Sequence, residues 1–262
     1  MVEEVEVRND VVFASAGGRD LRCDVYAPQG RGARPAILLL HGGAWRAGSR
    51  DMVAGFGRRL AESGFVAVAS EYRLTPEAPW PAQIDDVRAA LSWIRANTES
   101  LSVDASTIAV LGRSAGGHLA LLAAGTERGI AAAIGIFPPT TFYVDERTRG
   151  SVPARTLMGE SANADDAGQA SPLAHVGPGY PPTFLLHGTA DKVVPPSASM
   201  VMYEALVAAG VPVELHMYAG QPHGFVASPE FEDLCASENA NFLNRFLAAP
   251  ETSSEALVAS TT

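Results

Sequence analysis

The segment Leu111-Gly-Arg-Ser-Ala-Gly-Gly117 constrains this chain more than any other stretch. It follows a short apolar run, Thr107 to Leu111, and precedes a helix-like run, His118 to Ala124, so a strand must turn sharply into a helix there. On such a turn a serine is held in a strained backbone conformation with its hydroxyl exposed. Glycines on either side leave room where strand and helix pass too closely for a Cβ. Gly112 and Gly116 stand at those positions, with Ser114 between them. The pattern is short, and 25 glycines make a chance match easy. The rest of the chain must therefore supply what a nucleophilic serine needs.

Alternation along the sequence sets the frame for that turn. Val5 to Phe13 and Leu21 to Ala27 are β-rich runs separated by Ala16-Gly17-Gly18, which predicts an antiparallel hairpin. Ala36 to Leu40 is a continuous aliphatic run, the pattern of a strand buried on both faces of a parallel sheet, and it leads into His41-Gly42-Gly43-Ala44-Trp45. Asp51 to Ser63 reads as helix, Phe65 to Ser70 as strand, and Ala82 to Asn97 as an amphipathic helix beginning just after Pro81. Ile108 to Leu111 is the strand feeding the serine turn. Ile130 to Phe137 and Thr183 to Leu186 are further buried strands, Pro196 to Ala209 is a helix closed by Gly210, and Val213 to Tyr218 is a last strand before a helix from Glu230 to Leu247. Such alternation predicts βα units on a mostly parallel sheet of about eight strands with helices on both faces.

The rhythm lapses between Pro138 and Pro182, a stretch rich in Pro, Gly, Ser and Asp with room for one or two short helical turns; a loop this long in a compact domain suggests a lid. Residues 1–249 are expected to form one domain carrying this 138–182 insertion, and residues 250–262, with little to bury, a disordered tail.

Composition removes several partner classes. A net charge of -10 disfavours nucleic acid and anionic membranes, which need clustered Lys and Arg. The longest uncharged stretch, Gly129 to Val144, is 16 residues and is broken by Pro138-Pro139, too short for a membrane span. Met1 to Asp10 is acidic and lacks the apolar core of a signal peptide, and Cys23 and Cys235 have no metal-ligand spacing. A soluble protein in a reduced, cytoplasmic setting is the expectation. Oligomeric state stays open, a homodimer included.

A serine hydroxyl is a weak nucleophile near neutral pH. It needs a histidine to take its proton and a carboxylate to hold that imidazole in the right tautomer. Asp191 lies just beyond the strand Thr183 to Leu186, and His223 just beyond the strand Val213 to Tyr218. All three candidates thus follow a strand's C-terminal end, where open α/β sheets place their sites, in the order Ser, Asp, His. The oxyanion formed by attack needs preorganised N–H donors. Ala115, at the start of the helix after the serine, supplies one. Gly43 is the favoured second, with Gly42 or Ala44 as a further donor, because the glycines let the backbone approach a substrate. This chemistry calls for no metal or cofactor.

His41-Gly-Gly-Ala-Trp45, Glu71-Tyr-Arg-Leu-Thr-Pro76, Trp80-Pro-Ala-Gln-Ile-Asp-Asp86, Gly112-Arg-Ser-Ala-Gly-Gly117, Ala170-Ser-Pro172, Pro182 to Asp191 and His223-Gly-Phe225 together carry a family resemblance. The chain resembles an α/β-hydrolase of the carboxylesterase type and is similar to the hormone-sensitive-lipase and BD-FAE (feruloyl/acetyl esterase-like) groups, over about Arg34 to Leu247. The resemblance implies the α/β-hydrolase fold, here with a minimal cap. Lipase-like members usually carry His-Gly-Gly-Gly, and often Asp where Arg113 precedes the serine. The His-Gly-Gly-x-Trp form instead resembles arylformamidases and small cap-less esterases.

Other residues admit plainer roles. His41 and His187 end buried strands beside glycine and read as structural histidines, as does His118 on the helix after the serine, while His175 and His216 have no evident partner. Asp85 and Asp86, near a helix start, read as favouring the helix dipole and solvating a face. Asp165 and Asp166 lack the company of a metal site. Arg113 either steers an acidic substrate or pairs with a neighbouring carboxylate. Trp45, Phe137, Phe142, Tyr143 and Phe225, with Val193, line an acyl or aryl pocket or belong to the core.

Three functions fit these residues. The first is a serine carboxylesterase that hydrolyses small, short-acyl carboxylic esters through an acyl-enzyme. Here Ser114 is the nucleophile, His223 the general base and then acid, and Asp191 the orienter. The second is an arylformamidase-type amide hydrolase using the same residues. The third is a non-catalytic binding protein on a hydrolase fold, a class that usually loses a catalytic member.

Overall fold

The computed structural model describes residues 4–30, 32–143, 152–159 and 163–247. The tail expected at 250–262 lies outside the described residues, as does part of the 138–182 insertion.

Strands β1 (Val5–Ala16) and β2 (Arg19–Pro28) pair antiparallel across Gly17 and Gly18. Both glycines have positive φ, 60° and 76°, as a tight two-residue hairpin turn requires. The hairpin forms one end of an eight-stranded sheet of order β1-β2-β4-β3-β5-β6-β7-β8. β2 runs antiparallel to β4 (Val66–Ser70). From there β3 (Arg34–Leu40), β5 (Val103–Arg113), β6 (Ala132–Ile136), β7 (Thr183–Gly188) and β8 (Val213–Tyr218) are all parallel.

The continuous aliphatic run at Ala36–Leu40 is explained by its central position. Ala36, Leu38 and Leu40 enter one core cluster, and Ile37 and Leu39 enter the other. With both faces covered, neither set of alternate side chains meets water, so both are apolar. The first face packs against α2 (Ala82–Ala96), α4 (Ala115–Thr126) and α7 (Ser197–Ala208), through Ile84, Leu91, Leu119, Leu122, Met202 and Leu206. The second packs against α1 (Ala54–Glu62) and α8 (Pro229–Leu247), through Phe56, Leu60, Cys235, Phe242 and Leu243. Between α2 and β5, Thr98–Leu101 adds one turn, α3.

Two departures from the sequence reading concern β5 and the insertion. β5 starts at Val103 rather than Ile108, because polar Asp104 to Thr107 conceals an extension in which Val103 pairs with Arg34 beyond a register shift. The insertion, within its described residues, holds helices α5 (Val152–Met158) and α6 (Ala164–Ala170) and a 3₁₀ turn at Pro172–His175. It is also pinned. Leu157 is fully buried in the core, Leu173 N–H donates to Thr140 O at 3.0 Å, and Thr140 Oγ1 donates to Ala198 O on α7 at 2.9 Å.

Candidate active site

Parallel strands β3, β5, β7 and β8 deliver their C-terminal ends to one edge of the sheet, and the sequence candidates lie in the turns that follow them. Ser114 stands between β5 and α4 at φ 52°, ψ −117°, a region that a residue with a Cβ occupies only under constraint. The constraint comes from both sides. Ser114 N–H donates to Ile136 O at 2.9 Å, and Ser114 O accepts from His118 N–H at 2.9 Å as α4 begins. A Cβ on Gly112 would lie 2.1 Å from Gly116 O, so the strand and the helix it enters are in backbone contact.

His223 follows β8 and turns its ring to this serine. Its Nε2 is 3.0 Å from Ser114 Oγ, and its Nδ1 is 2.6 Å from Asp191 Oδ2. The other oxygen of Asp191, Oδ1, accepts from the amides of Val193 and Val194 at 2.8 and 2.9 Å. Burial alone would raise the Asp191 carboxyl, but hydrogen bonds from His223, Val194 and Val193 outweigh it and hold the group below the usual aspartate value. A carboxylate only accepts. The 2.6 Å contact therefore places the histidine proton on Nδ1 and leaves the Nε2 lone pair facing the serine hydroxyl.

The loop after β3 curls through three successive residues at positive φ: Gly43 at 123°, Ala44 at 52° and Trp45 at 58°. Gly43 O accepts from Arg46 and Ala47 N–H at 3.1 Å each, and a Cβ on Gly43 would stand 2.0 Å from Ala47 O. Gly42 meets the nucleophile directly, since a Cβ there would be 3.4 Å from Ser114 Cβ. Ala115 is the first residue of α4 and has no intrahelical acceptor for its N–H. Tyr72 Oη donates to His41 O at 2.9 Å, and Thr75 N–H donates to Trp45 O at 2.8 Å, so the Glu71–Pro76 turn clamps this loop.

The aromatic candidates divide. Trp45 and Phe142 are buried around His118: Trp45 Nε1–H donates to His118 Nδ1 at 3.1 Å, His118 Nε2–H donates to Ala170 O at 2.7 Å, and the Phe142 ring is 4.7 Å from the imidazole. Burial lowers His118 to about 4, so it is neutral at pH 7. Phe137 packs its ring 4.6 Å from His223 and 5.7 Å from Phe225, both phenylalanines being buried. Tyr143 and Val193 are the exposed pair, at 62% and 69%.

Two expectations are corrected. Among the described residues Arg113 has no carboxylate within ion-pair distance; it is buried, with its guanidinium 5.4 Å from the Phe56 ring centroid. Strand alternation puts it with Leu111 on the α1/α8 face rather than in the cleft beside Ser114. Desolvation lowers its pKa, opposed by the more distant Glu232. Asp86 does not solvate a face: it is buried and accepts from Arg73 Nε, Nη2 and backbone N–H, whereas Asp85 pairs with Arg88. Its place at i−4 from buried Ala90 is the sequence signal that marks it as inward-facing.

The remaining histidines have partners. His41 Nδ1–H donates to Gly42 O at 2.7 Å and the ring stacks on Tyr72, with burial lowering its pKa. His187 is buried beside Asp191, His175 Nε2–H donates to Gln169 O, and His216 lies 3.4 Å from Glu238.

Residues 23–206 match the BD-FAE family model. The chain belongs to the BD-FAE family. Mycobacterium tuberculosis carboxylesterase NlhH is 33% identical over 80% of this chain and 72% of its own length. The probable carboxylic ester hydrolase LipM of the same organism is 33% identical over 63% of this chain and 43% of its own. The chain spans about half the length of the first curated relatives it matches, 43%, 48% and 51%. A Thermogutta terrifontis esterase, Est2, superposes with a TM-score of 0.77 at 27% identity over 95% of both chains, and the same esterase is known with butyrate bound. A truncated carbohydrate esterase from gut microbiota gives 0.81 at 24% identity and supports the fold. This BD-FAE member has the α/β-hydrolase fold. No helix among its described residues is long and apolar enough to cross a membrane.

Proposed function

We propose that the protein is a serine carboxylesterase acting on small, short-acyl carboxylic esters. The observation that carries this reading is the unbroken line of hydrogen bonds from Ser114 Oγ through His223 to Asp191, at 3.0 and 2.6 Å. Ser114 Oγ attacks the ester carbonyl carbon as its proton passes to His223 Nε2, and the resulting imidazolium is stabilised by the Asp191 carboxylate. The carbonyl oxygen takes the negative charge and is met by the amides of Ala115 and Gly43, with Gly42 or Ala44 adjacent; each such donor contributes roughly 10²- to 10³-fold in rate. Collapse breaks the ester C–O bond, and the alcohol leaves with the proton from His223 Nε2. Water then attacks the acyl-enzyme, gives a proton to His223, and the carboxylic acid departs as Ser114 Oγ regains its proton.

Relatives named as ester hydrolases support the ester over the formamide reading, and butyrate in the Est2 structure supports a short acyl group. Phe137, against His223, and Val193, beside Asp191, are the proposed pocket contacts from this side of the triad. A cytoplasmic location belongs to the same proposal, supported by two free, buried cysteines.

Purified protein is expected to hydrolyse p-nitrophenyl acetate and butyrate and to be labelled by a fluorophosphonate probe, with Ser114→Ala removing nearly all of both. Full activity in that variant would overturn the assignment, and absence of labelling in the wild type would favour a binding protein.

A further inference from the structure

His187, the penultimate residue of β7, is fully buried and lies outside the line from Ser114 to Asp191. Its Nε2 is 3.0 Å from Val194 O and 3.2 Å from Asp191 Oδ2, and its Nδ1 is 2.7 Å from Ser199 Oγ, in the first turn of α7. A carbonyl oxygen and a carboxylate oxygen only accept, so the single proton of the neutral ring belongs on Nε2, and Ser199 Oγ–H donates to Nδ1. Burial keeps the ring neutral by lowering its pKa, against the raising effects of the Val194 carbonyl and Asp191.

The Val194 carbonyl ties this histidine to catalysis. Val194 N–H and Val193 N–H are the two donors on Asp191 Oδ1. His187 therefore grips, through Val194 O, the same turn whose amides grip the carboxylate, while its Nε2 edge abuts Oδ2, the oxygen that receives His223 Nδ1–H. Building on the esterase reading above, we infer that His187 is a positioning residue. It braces the turn from Asp191 to Val194 through its Nε2–H, so that the Asp191 carboxylate presents Oδ2 to His223, and Ser199 fixes the tautomer that makes this brace possible.

The brace works without touching substrate, so its loss should appear in turnover rather than binding. A glutamine amide nitrogen reaches about as far along the side chain as histidine Nε2, whereas an asparagine amide nitrogen reaches only to Nδ1. His187→Gln thus keeps the donor to Val194 O and His187→Asn removes it. With p-nitrophenyl butyrate, His187→Asn is expected to lose roughly 10- to 100-fold in kcat, the range for a hydrogen bond to a charged group, since the same Nε2–H also faces the Asp191 carboxylate at 3.2 Å, with KM within about twofold. His187→Gln is expected to retain kcat within about fivefold.

Should the asparagine variant fail to fold, His187→Met fills the volume without a donor and is expected to show the same fall. Equal losses in the Gln and Asn (or Met) variants would reduce His187 to packing and overturn the inference. So would unchanged kcat in the Asn or Met variant. Ser114→Ala, assayed alongside, keeps the two readings apart: if it is inactive while the donor-less variants turn over normally, the esterase reading stands and the brace falls.

Discussion

Gly116 lies against Leu40 with no space for a side chain: a Cβ on Gly116 would stand 2.2 Å from Leu40 O and 2.4 Å from His41 O. This close approach brings the helix after Ser114 within reach of the loop that follows β3. It makes the distance between the nucleophile and the Gly43 amide a property of backbone packing. Gly116→Ala forces one rigid main chain away from another, so its cost belongs at or above the usual 1–3 kcal/mol of overpacking. Loss of at least about 2 kcal/mol in urea denaturation is expected, with a fall in kcat in whatever folds. A variant of native stability and activity would show that the two segments are free to separate.

The ion pair of half-buried Arg73 with buried Asp86 predicts a stability effect with a functional consequence. Arg73 belongs to the turn whose neighbours Tyr72 and Thr75 hold His41 O and Trp45 O. Asp86→Ala leaves the backbone N–H and part of the guanidinium of Arg73 without their acceptor. The expected destabilisation is about 3 kcal/mol, the low end for breaking such a pair because Arg73 keeps some access to water. Thermal unfolding checks the stability. A kcat that falls while stability is restored by a stabilising osmolyte would show that the clamp also shapes the loop after β3.

His118 gives the fold a pH dependence of known sign. Its folded pKa of about 4 lies below the ordinary histidine value near 6.5. Between these two the unfolded chain binds the extra proton and the folded one does not, so stability is complete above pH 6.5 and is lost as pH falls toward 4. The full difference is on the order of 3 kcal/mol. Denaturation midpoints at pH 7, 6, 5 and 4.5 should fall progressively. His118→Gln, which cannot take the proton, should flatten the curve, even though it weakens the Trp45 and Ala170 hydrogen bonds at every pH. An equally steep fall in that variant would assign the dependence to His41 or His187, whose pKa values burial also lowers.

Much of the architecture was legible because apolar period and glycine placement report backbone events. Continuous runs at Ala36–Leu40 and Thr183–Leu186 correspond to strands covered on both faces, and the strand ends carry Ser114, Asp191 and His223 into mutual contact. Side-chain direction was less legible. Adjacency to Ser114 suggests that Arg113 steers a substrate or pairs with a carboxylate, whereas the two-residue period of β5 sets it with Leu111 on the opposite face, against Phe56. Its neighbour and its nearness to a helix start suggest an outward Asp86, while the helical period aligns it with buried Ala90. The His187 contacts had no signal in composition or period, because they depend on how the turn from Asp191 to Val194 folds back beneath the end of β7.

Asp191→Asn tests what the carboxylate does for His223 while leaving the packing nearly unchanged. The amide is nearly the size of the carboxylate and can still accept Val193 and Val194 N–H through its oxygen. Its nitrogen then occupies the Oδ2 position and donates toward His223 Nδ1. That favours the tautomer with the proton on Nε2, which points a hydrogen at Ser114 Oγ instead of a lone pair. A loss on the order of 10³- to 10⁴-fold in kcat is expected, the range seen when a triad aspartate is made neutral, with some loss of thermal stability at pH 7, because the stabilising charge is gone and the amide nitrogen faces the His187 Nε2–H. In the wild type the lowered Asp191 pKa adds a second marker. Its stabilising contribution is full above the ordinary aspartate value near 4 and is lost as pH falls through the lower folded value. The asparagine variant should therefore unfold less steeply with acid below pH 4 than the wild type does. If kcat is retained, the 2.6 Å contact between His223 and Asp191 does not set the tautomer, and another group must hold the imidazole for proton transfer.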